Sequence, residues 1–430
     1  MTVLDTTDIR PSETAVRFPG TLPRLIPNPP VTAIGAHLDW YGPAPHTGAG
    51  LIAEAERAGL RGRGGAGFPT AVKMAAVARR RGGVVVANGT EGEPASDKDK
   101  TLMALAPHLV LDGAVAAARA VGADRAIICV ERSAKGAIRA LRAALAERHA
   151  ARMDAIELSL ALTPNRYVAG EASALVHWLN GGDARPTFSP HRQAERGVRG
   201  RPTLVDNVET LAHLALIARY RGEWWRSVGT AEDPGSALVT ISGAVARPGV
   251  YEIPLGARLA GVLAAAGGPT HAVQAVLVGG YFGSWLPAAA IDQARLDASS
   301  LREWGAGLGC GALAVLPEGA CGLAESARVT AWLAGQNAGQ CGPCVFGLPA
   351  IAGAMDAMVQ GDNHGVAQRE AGRWTELVRG RGACKHPDGT AQFVASSLKT
   401  FAGEIEAHRR RGPCPGPAGL LPVPAPGAWR

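Results

Sequence analysis

Two cysteines separated by Gly-Pro, in the stretch QNAGQCGPCVFG, are the residues whose spacing most directly offers chemistry. Cys341 and Cys344 on such a turn can direct two sulfurs at one metal ion or cluster, and Cys384 in RGACKHPDG adds a third donor further along. Free cysteines are also among the most buried side chains, so packing and ligation are both open readings here. A second stretch, GLRGRGGAGFPTAVK at residues 59–73, holds five glycines and two arginines in fifteen positions. A glycine-rich loop feeding a helix lets the backbone approach a ligand closely and aims N–H groups and a positive dipole end at a phosphate. The spacing is neither the dinucleotide fingerprint nor a Walker A loop. On the glycines alone, phosphate binding and a tight turn between helices are both open.

The elements that must position these residues follow from periodicity. HTGAGLIAEAERAGL before the loop and FPTAVKMAAVARRR after it carry apolar residues at helical spacing, the second starting near Pro69. GGVVVANGTEGEP reads as a buried strand that opens into a loop, and ADRAIICVERSA as a second strand with Cys129 in its core. Between them TLMALAPHLVLDGAVAAARAVG is helical. Alternating strands and helices predict an α/β fold with a parallel, doubly wound sheet, whose ligands bind at the carboxyl ends of its strands. NGTEGEP and the glycine-rich loop are therefore expected to border one site. From Ala237, alternating apolar residues, a Pro-Gly turn at Pro248 and Gly249, a further strand and a helix ending in Gly-Gly predict a β-grasp-like module. Beyond residue 322 the pattern is helical to EIEAHRRR, and GPCPGPAGLLPVPAPGAWR reads as a disordered or extended tail.

Composition narrows the function classes. At 430 residues the chain exceeds one core and predicts two to four domains. No run of about 18 uncharged apolar residues occurs, and the N-terminal segment lacks a basic region followed by an apolar core. The expectation is a cytoplasmic protein without direct membrane insertion, its seven cysteines being thiols or metal ligands rather than disulfides. The formal charge is +7, but the arginines are dispersed and aromatics make up only 5%, so no nucleic-acid stacking platform is visible. A basic surface suits an acidic protein partner.

In its extended motifs the chain resembles the NADH-oxidising flavoprotein subunit of respiratory complex I and its relatives in NAD-linked hydrogenases and formate dehydrogenases. GLRGRGGAGFPTAVK, NGTEGEPASDKD, RYVAGEASALVHWLNG, GRPTLVDNVETLA, ISGAVARPGVY and GQCGPC with Cys384 carry the likeness in family order, over roughly residues 46–408. The resemblance implies an N-terminal arm (1–45), an FMN-binding α/β domain (46–233), a β-grasp module of the soluble-ligand-binding type (234–322), a helical iron–sulfur-type domain (323–410) and the Pro-rich tail (411–430). It further implies that Gly62, Arg63, Gly64, Gly65 and Gly67 give backbone donors to FMN, with Lys73 a positive charge near the flavin and Phe68 retained beside it. Asn88, Glu91 and Glu93 would line the pocket, the two carboxylates standing where a nicotinamide would stack. Tyr167, Gly170, Glu171 and Asn207 match further site positions, and Cys341, Cys344 and Cys384 match cluster ligands. The implied role is electron transfer between NADH or a ferredoxin-like carrier and an iron–sulfur partner, commonly a small thioredoxin-like subunit; the alternative is a scaffold subunit that has lost its cofactors.

Departures from the family pattern bear on two of these expectations. Thr90 stands where the family has Asp, and Ala172 where it has a second Glu. The aromatic that sandwiches adenine falls at Arg192, a neighbouring Lys at Ser189 and a second aromatic at Ala76, so NADH binding is placed in doubt. The first cysteine of the family's Cys-x-x-Cys-x-x-Cys is Ala338, which leaves three thiolates for a three-iron cluster, a four-iron cluster completed from elsewhere, or none. Asn337, Gln340 and His386 are the nearby side chains that could complete it.

Overall fold

The computed structural model describes residues 24–362 and 364–430, so residues 1–23 of the expected N-terminal arm lie outside the described residues. Helices α1 (Ile34–Tyr41) and α2 (Gly50–Ala58) precede the glycine-rich loop, and α3 (Thr70–Ala78) follows it with Pro69 at the N-cap. Strand β1 (Gly83–Gly89) leads through NGTEGEP to α4 (Lys98–Leu105) and α5 (Pro107–Val121). The helical stretch between the first two strands is thus two helices meeting at 98°, because Pro107 has no N–H to continue α4. Then come β2 (Ala123–Glu131), α6 (Lys135–Ala150), β3 (Glu157–Thr163), α7 (Ala172–Leu179), β4 (Thr203–Asn207) and α8 (Val208–Arg226).

These four strands run parallel in the order β3-β2-β1-β4. Val85, Ala87, Ile128 and Val130 face one side, in a core shared with α5, α6 and α8. Val84, Val86, Ile127 and Cys129 face the other, against Leu175 and Val176 of α7. Burial on both faces is why β1 reads as an unbroken apolar run. Because β2 and β3 lie on one side of β1 and β4 on the other, the order reverses between β1 and β4. Crevices outside such reversals are where α/β sheets bind ligands.

A second sheet follows, built from β5 (Ser236–Gly243), β6 (Gly249–Pro254), β7 (Val273–Val278), β8 (Ser284–Pro287) and β9 (Ala312–Pro317), with α9 (Leu259–Ala265), α10 (Ala290–Gln293) and α11 (Ala298–Glu303) in its connections. Its order is β6-β5-β9-β7-β8, the two strands β5 and β9 being parallel and the other neighbours antiparallel. Val239, Ile241 and Val276 pack with α9, while Leu277, Ala314 and Leu316 join a core formed with the last helices. Those are α12 (Gly322–Gly335), α13 (Leu348–Val359), α14 (Val366–Val378), α15 (His386–Thr400) and α16 (Ala402–Arg411).

Of the two readings of the Pro-rich tail, the extended one describes it. Its carbonyls at Pro422 and Pro424 accept from the Tyr281 hydroxyl and the Trp332 indole, and Trp429 lies under the Arg166 guanidinium, 3.9 Å from the ring centroid. Among the described residues no single helix is long and apolar enough to cross a membrane.

Candidate functional site

Strands β1 and β4 end side by side, with Asn88 opposite Asn207. The glycine-rich loop lies over the end of β4: a Cβ built on Gly64 would stand 3.4 Å from Asn207 Cβ. Two loop amides close it on the protein, Gly62 N–H donating to Phe68 O (2.9 Å) and Arg63 N–H to Thr210 Oγ1 (2.8 Å). That leaves Gly64, Gly65 and Gly67, whose amides donate to no acceptor among the described residues. Gly65 and Gly67 take φ of +105° and +60°, a region that disfavours side chains. The Arg63 guanidinium turns away from the loop to donate to Ser236 O in β5 (3.1 Å). Lys73 is half-buried, its Nζ 3.3 Å from Asp206 Oδ1, so its charge is opposed within the protein. The second Asp206 oxygen, Oδ2, is buried without a hydrogen-bond partner. Free N–H donors beside an orphan acceptor, at a strand-order reversal, suit a ligand bearing phosphate and hydroxyl groups.

The polar residues expected to line this pocket are occupied in building it. Glu91 accepts from Ser96 Oγ (2.6 Å) and from the amides of Asp99 (3.2 Å) and Lys100 (3.1 Å), which fixes the start of α4. Glu93 accepts from the amides of Ala95 (3.1 Å) and Tyr281 (2.9 Å) and from the Tyr167 hydroxyl (3.0 Å). Burial pushes the Glu93 carboxyl up to about 7, with these three donors opposing the shift. Asn88 donates to Gly170 O (2.8 Å), and Asn207 caps α8 through Glu209 N–H while donating to Asp99 Oδ2 (2.7 Å). Glu171 caps α7 through the amides of Ser173 and Ala174. At Gly170 the backbone passes so close to the β1 loop that a Cβ would stand 2.7 Å from Thr90 O.

Beneath the site lies a charge cluster that the sequence pattern does not single out. Lys98 Nζ donates to Asp99 Oδ1 (2.6 Å) and Glu209 Oε2 (2.8 Å), and all three side chains are buried. Burial alone would raise the Glu209 carboxyl, but Lys98 and then His213 hold it down at about 2. Leu238 N–H donates to Glu209 Oε1 (2.8 Å), which ties the cluster to β5. The alternation DKDK is its one visible trace in the sequence.

The structure gathers the three expected thiols. Cys341 follows α12, Cys344 lies in a single π-helical turn (Pro343–Gly347), and Cys384 precedes α15. Burial and then Cys341 and Cys384 push the Cys344 thiol up, and burial with Glu171 and Cys341 raises Cys384. Thiols that disfavour one another's ionisation are relieved by a cation, and three soft donors fit corners of an iron–sulfur cluster. They are not a mononuclear site, since the one His/Cys/Asp/Glu triad among the described residues with all donor atoms within 4.8 Å lies elsewhere. Ala338 is buried, with its backbone N–H on the Cys344 sulfur, so the missing ligand position adjoins the thiols. His386 Nε2 is 2.9 Å from Leu333 O and burial lowers its pKa to about 4, while Asn337 bonds back to Ala334 and Gly339. Gln340 is exposed. Tyr167 links the two halves of the site: its hydroxyl reaches Glu93 and its ring meets Phe282, Trp332 and His386 edge-on.

On the side expected to meet an adenine, Ala76 is half-buried and Ser189 and Arg192 are exposed. Two aromatics are presented to solvent instead, Phe68 at 47% and Phe188 at 90% exposure. Phe188 stands four positions before Arg192, where an ungapped alignment does not look.

Fold and site together define a flavin- and cluster-type electron-transfer subunit, and comparison with known proteins agrees. Residues 55–216 match the Nuo51 FMN-binding domain, residues 324–408 the NADH-ubiquinone oxidoreductase-F iron-sulfur binding region, and residues 238–280 the SLBB domain. An NADH-quinone oxidoreductase F subunit of Rhizobium meliloti, the second of two in that organism, is 30% identical over 379 residues, covering 85% of this chain and 90% of that protein. The NADH-quinone oxidoreductase F subunit of Mycobacterium tuberculosis is 32% identical over 382 residues, covering 85% and 86%. Among solved structures, a chain of an NAD+-reducing [NiFe]-hydrogenase in the H2-reduced state superposes with a TM-score of 0.78 at 31% identity. The match covers 85% of this chain and 63% of the hydrogenase chain. The chain belongs to the family of NADH-quinone oxidoreductase F subunits.

Proposed function

We propose that the chain is an electron-transfer flavoprotein subunit that holds FMN at the β1/β4 reversal and an iron–sulfur cluster on Cys341, Cys344 and Cys384. The observation that carries this reading is the trio of unengaged amides at Gly64, Gly65 and Gly67 beside the orphan Asp206 Oδ2. FMN, when bound, takes up electrons as a pair and releases them singly. Around it the amides would hold phosphate, Asp206 would accept from a hydroxyl, and Phe68 would shield the loop from water. Glu93 can hold or release a proton near neutral pH while Tyr167 fixes its orientation. Glu91, Asn88, Asn207, Gly170 and Glu171 act by positioning the loops rather than by touching the ligand.

On this reading residues 46–233 are the doubly wound FMN domain, 234–322 a β-grasp module of the soluble-ligand-binding type, and 323–410 the cluster domain. The donor is NADH or a ferredoxin-like carrier, the partner a thioredoxin-like iron–sulfur subunit, and the location cytoplasmic, peripheral on a membrane complex. Anaerobic purification should give one FMN per chain with iron and sulfide, and Gly65→Val should lose the flavin because its φ of +105° does not admit a branched side chain. A chain that is colourless and takes up no added FMN overturns the reading. It would favour the second one, a cofactor-free scaffold, which the internal pairing of Asn88, Glu91, Glu171 and Asn207 supports.

A further inference from the structure

Three side chains far from the glycine-rich loop, none of them matched to a cluster ligand, converge where the tail leaves α16. Cys321 Sγ, His408 Nε2 and Cys414 Sγ all lie within 4.8 Å of one another. We propose that Cys321, His408 and Cys414 form a zinc site that clasps the extended tail to the helical unit.

The geometry is that of a tetrahedron's edge. With Zn–S near 2.3 Å and Zn–N near 2.0–2.1 Å, sulfur and nitrogen on one zinc stand about 3.6 Å apart. Cys321 Sγ and His408 Nε2 are separated by 3.5 Å. The imidazole is also oriented for ligation, because His408 Nδ1 is 2.8 Å from Val359 O, so Nδ1 carries the proton and Nε2 presents its lone pair to the sulfurs. Cys321 is the N-cap of α12, where Ala324 N–H points at its sulfur (3.3 Å), an arrangement that favours thiolate. Gly412, with φ +76°, ends α16 and turns the chain back so that Cys414 returns over His408. Two thiolates and an imidazole select zinc over hard cations, and two thiolates neutralise its charge. Cys321 and His408 are buried while Cys414 is exposed, which leaves the fourth position to solvent. Glu404 Oε2 approaches Cys321 Sγ at 3.6 Å but is held by Leu323 N–H (2.8 Å).

The test uses the full chain, purified anaerobically with reductant. Metal analysis should find about one equivalent of zinc besides any iron, and Cys414→Ser, at an exposed position, should weaken zinc binding about tenfold or more. The paired variant Cys341→Ser/Cys384→Ser should keep its zinc. Cobalt substitution should give thiolate-to-metal absorption that Cys414→Ser abolishes, and chelation should expose the tail to protease. Zinc that survives Cys414→Ser, zinc lost with Cys341 and Cys384, no zinc at all, or a Cys321–Cys414 disulfide in the reduced preparation would each overturn the proposal.

Discussion

Ala338 is where a single atom separates this chain from the full ligand set. Its buried methyl adjoins the Cys344 sulfur, so Ala338→Cys should bring a fourth thiolate to the same cluster. The variant is expected to yield a four-iron form stable in air, while the unaltered protein on air exposure gives a three-iron resonance by electron paramagnetic resonance. Glu93 supports a different prediction. Its carboxyl is pushed up to about 7 from a usual 4.5, so the protonated form favours the folded chain. Its contribution is unimpaired below pH 4.5 and declines as pH rises to 7, by about 3 kcal/mol in all. Glu93→Gln should flatten that part of the stability profile measured by denaturant unfolding, leaving the acid limb unchanged. That Glu93 matters was legible in NGTEGEP; that it binds Tyr281 N–H was not, because 188 residues intervene. The same holds for Lys98, whose burial depends on Glu209, a partner 111 positions away.

Elements were legible where local pattern and tertiary demand coincide. The VVVA run of β1, Pro69 at the start of α3 and the Gly-Gly after α9 all stand where periodicity places them. Pro107 is the counter-example, an apolar helical pattern that continues across a residue unable to continue the helix. At the junction of the β1 loop with the segment before α7, Gly170→Ala should force the two backbones apart, since the new Cβ would meet Thr90 O at 2.7 Å. A loss of about 1–3 kcal/mol is expected by urea denaturation. Gly136→Ala, in α6 with nothing within 4 Å, should be neutral or stabilising and serves as the control.

For the whole molecule, the tail is the member that joins parts made from distant stretches. Glu325, buried in α12, accepts from the amides of Gly419, Leu420 and Leu421. Removing residues 416–430 should leave that carboxylate without donors and cost about 3 kcal/mol, and Glu325→Gln in the shortened chain should restore part of the loss in thermal melts. Its Pro-rich composition permitted an extended path without showing what the path lies on.

The contact of Trp429 with Arg166 and Arg185 also sets a timetable for biosynthesis. A ribosome adding about 5–20 residues per second needs on the order of ten seconds or more to pass from Arg185 to Trp429. Throughout that interval the nascent α/β unit exists without its last cover, with Arg166 and the segment around Ala184 bare. Chaperones that meet the protein during translation therefore encounter a surface that the finished molecule hides.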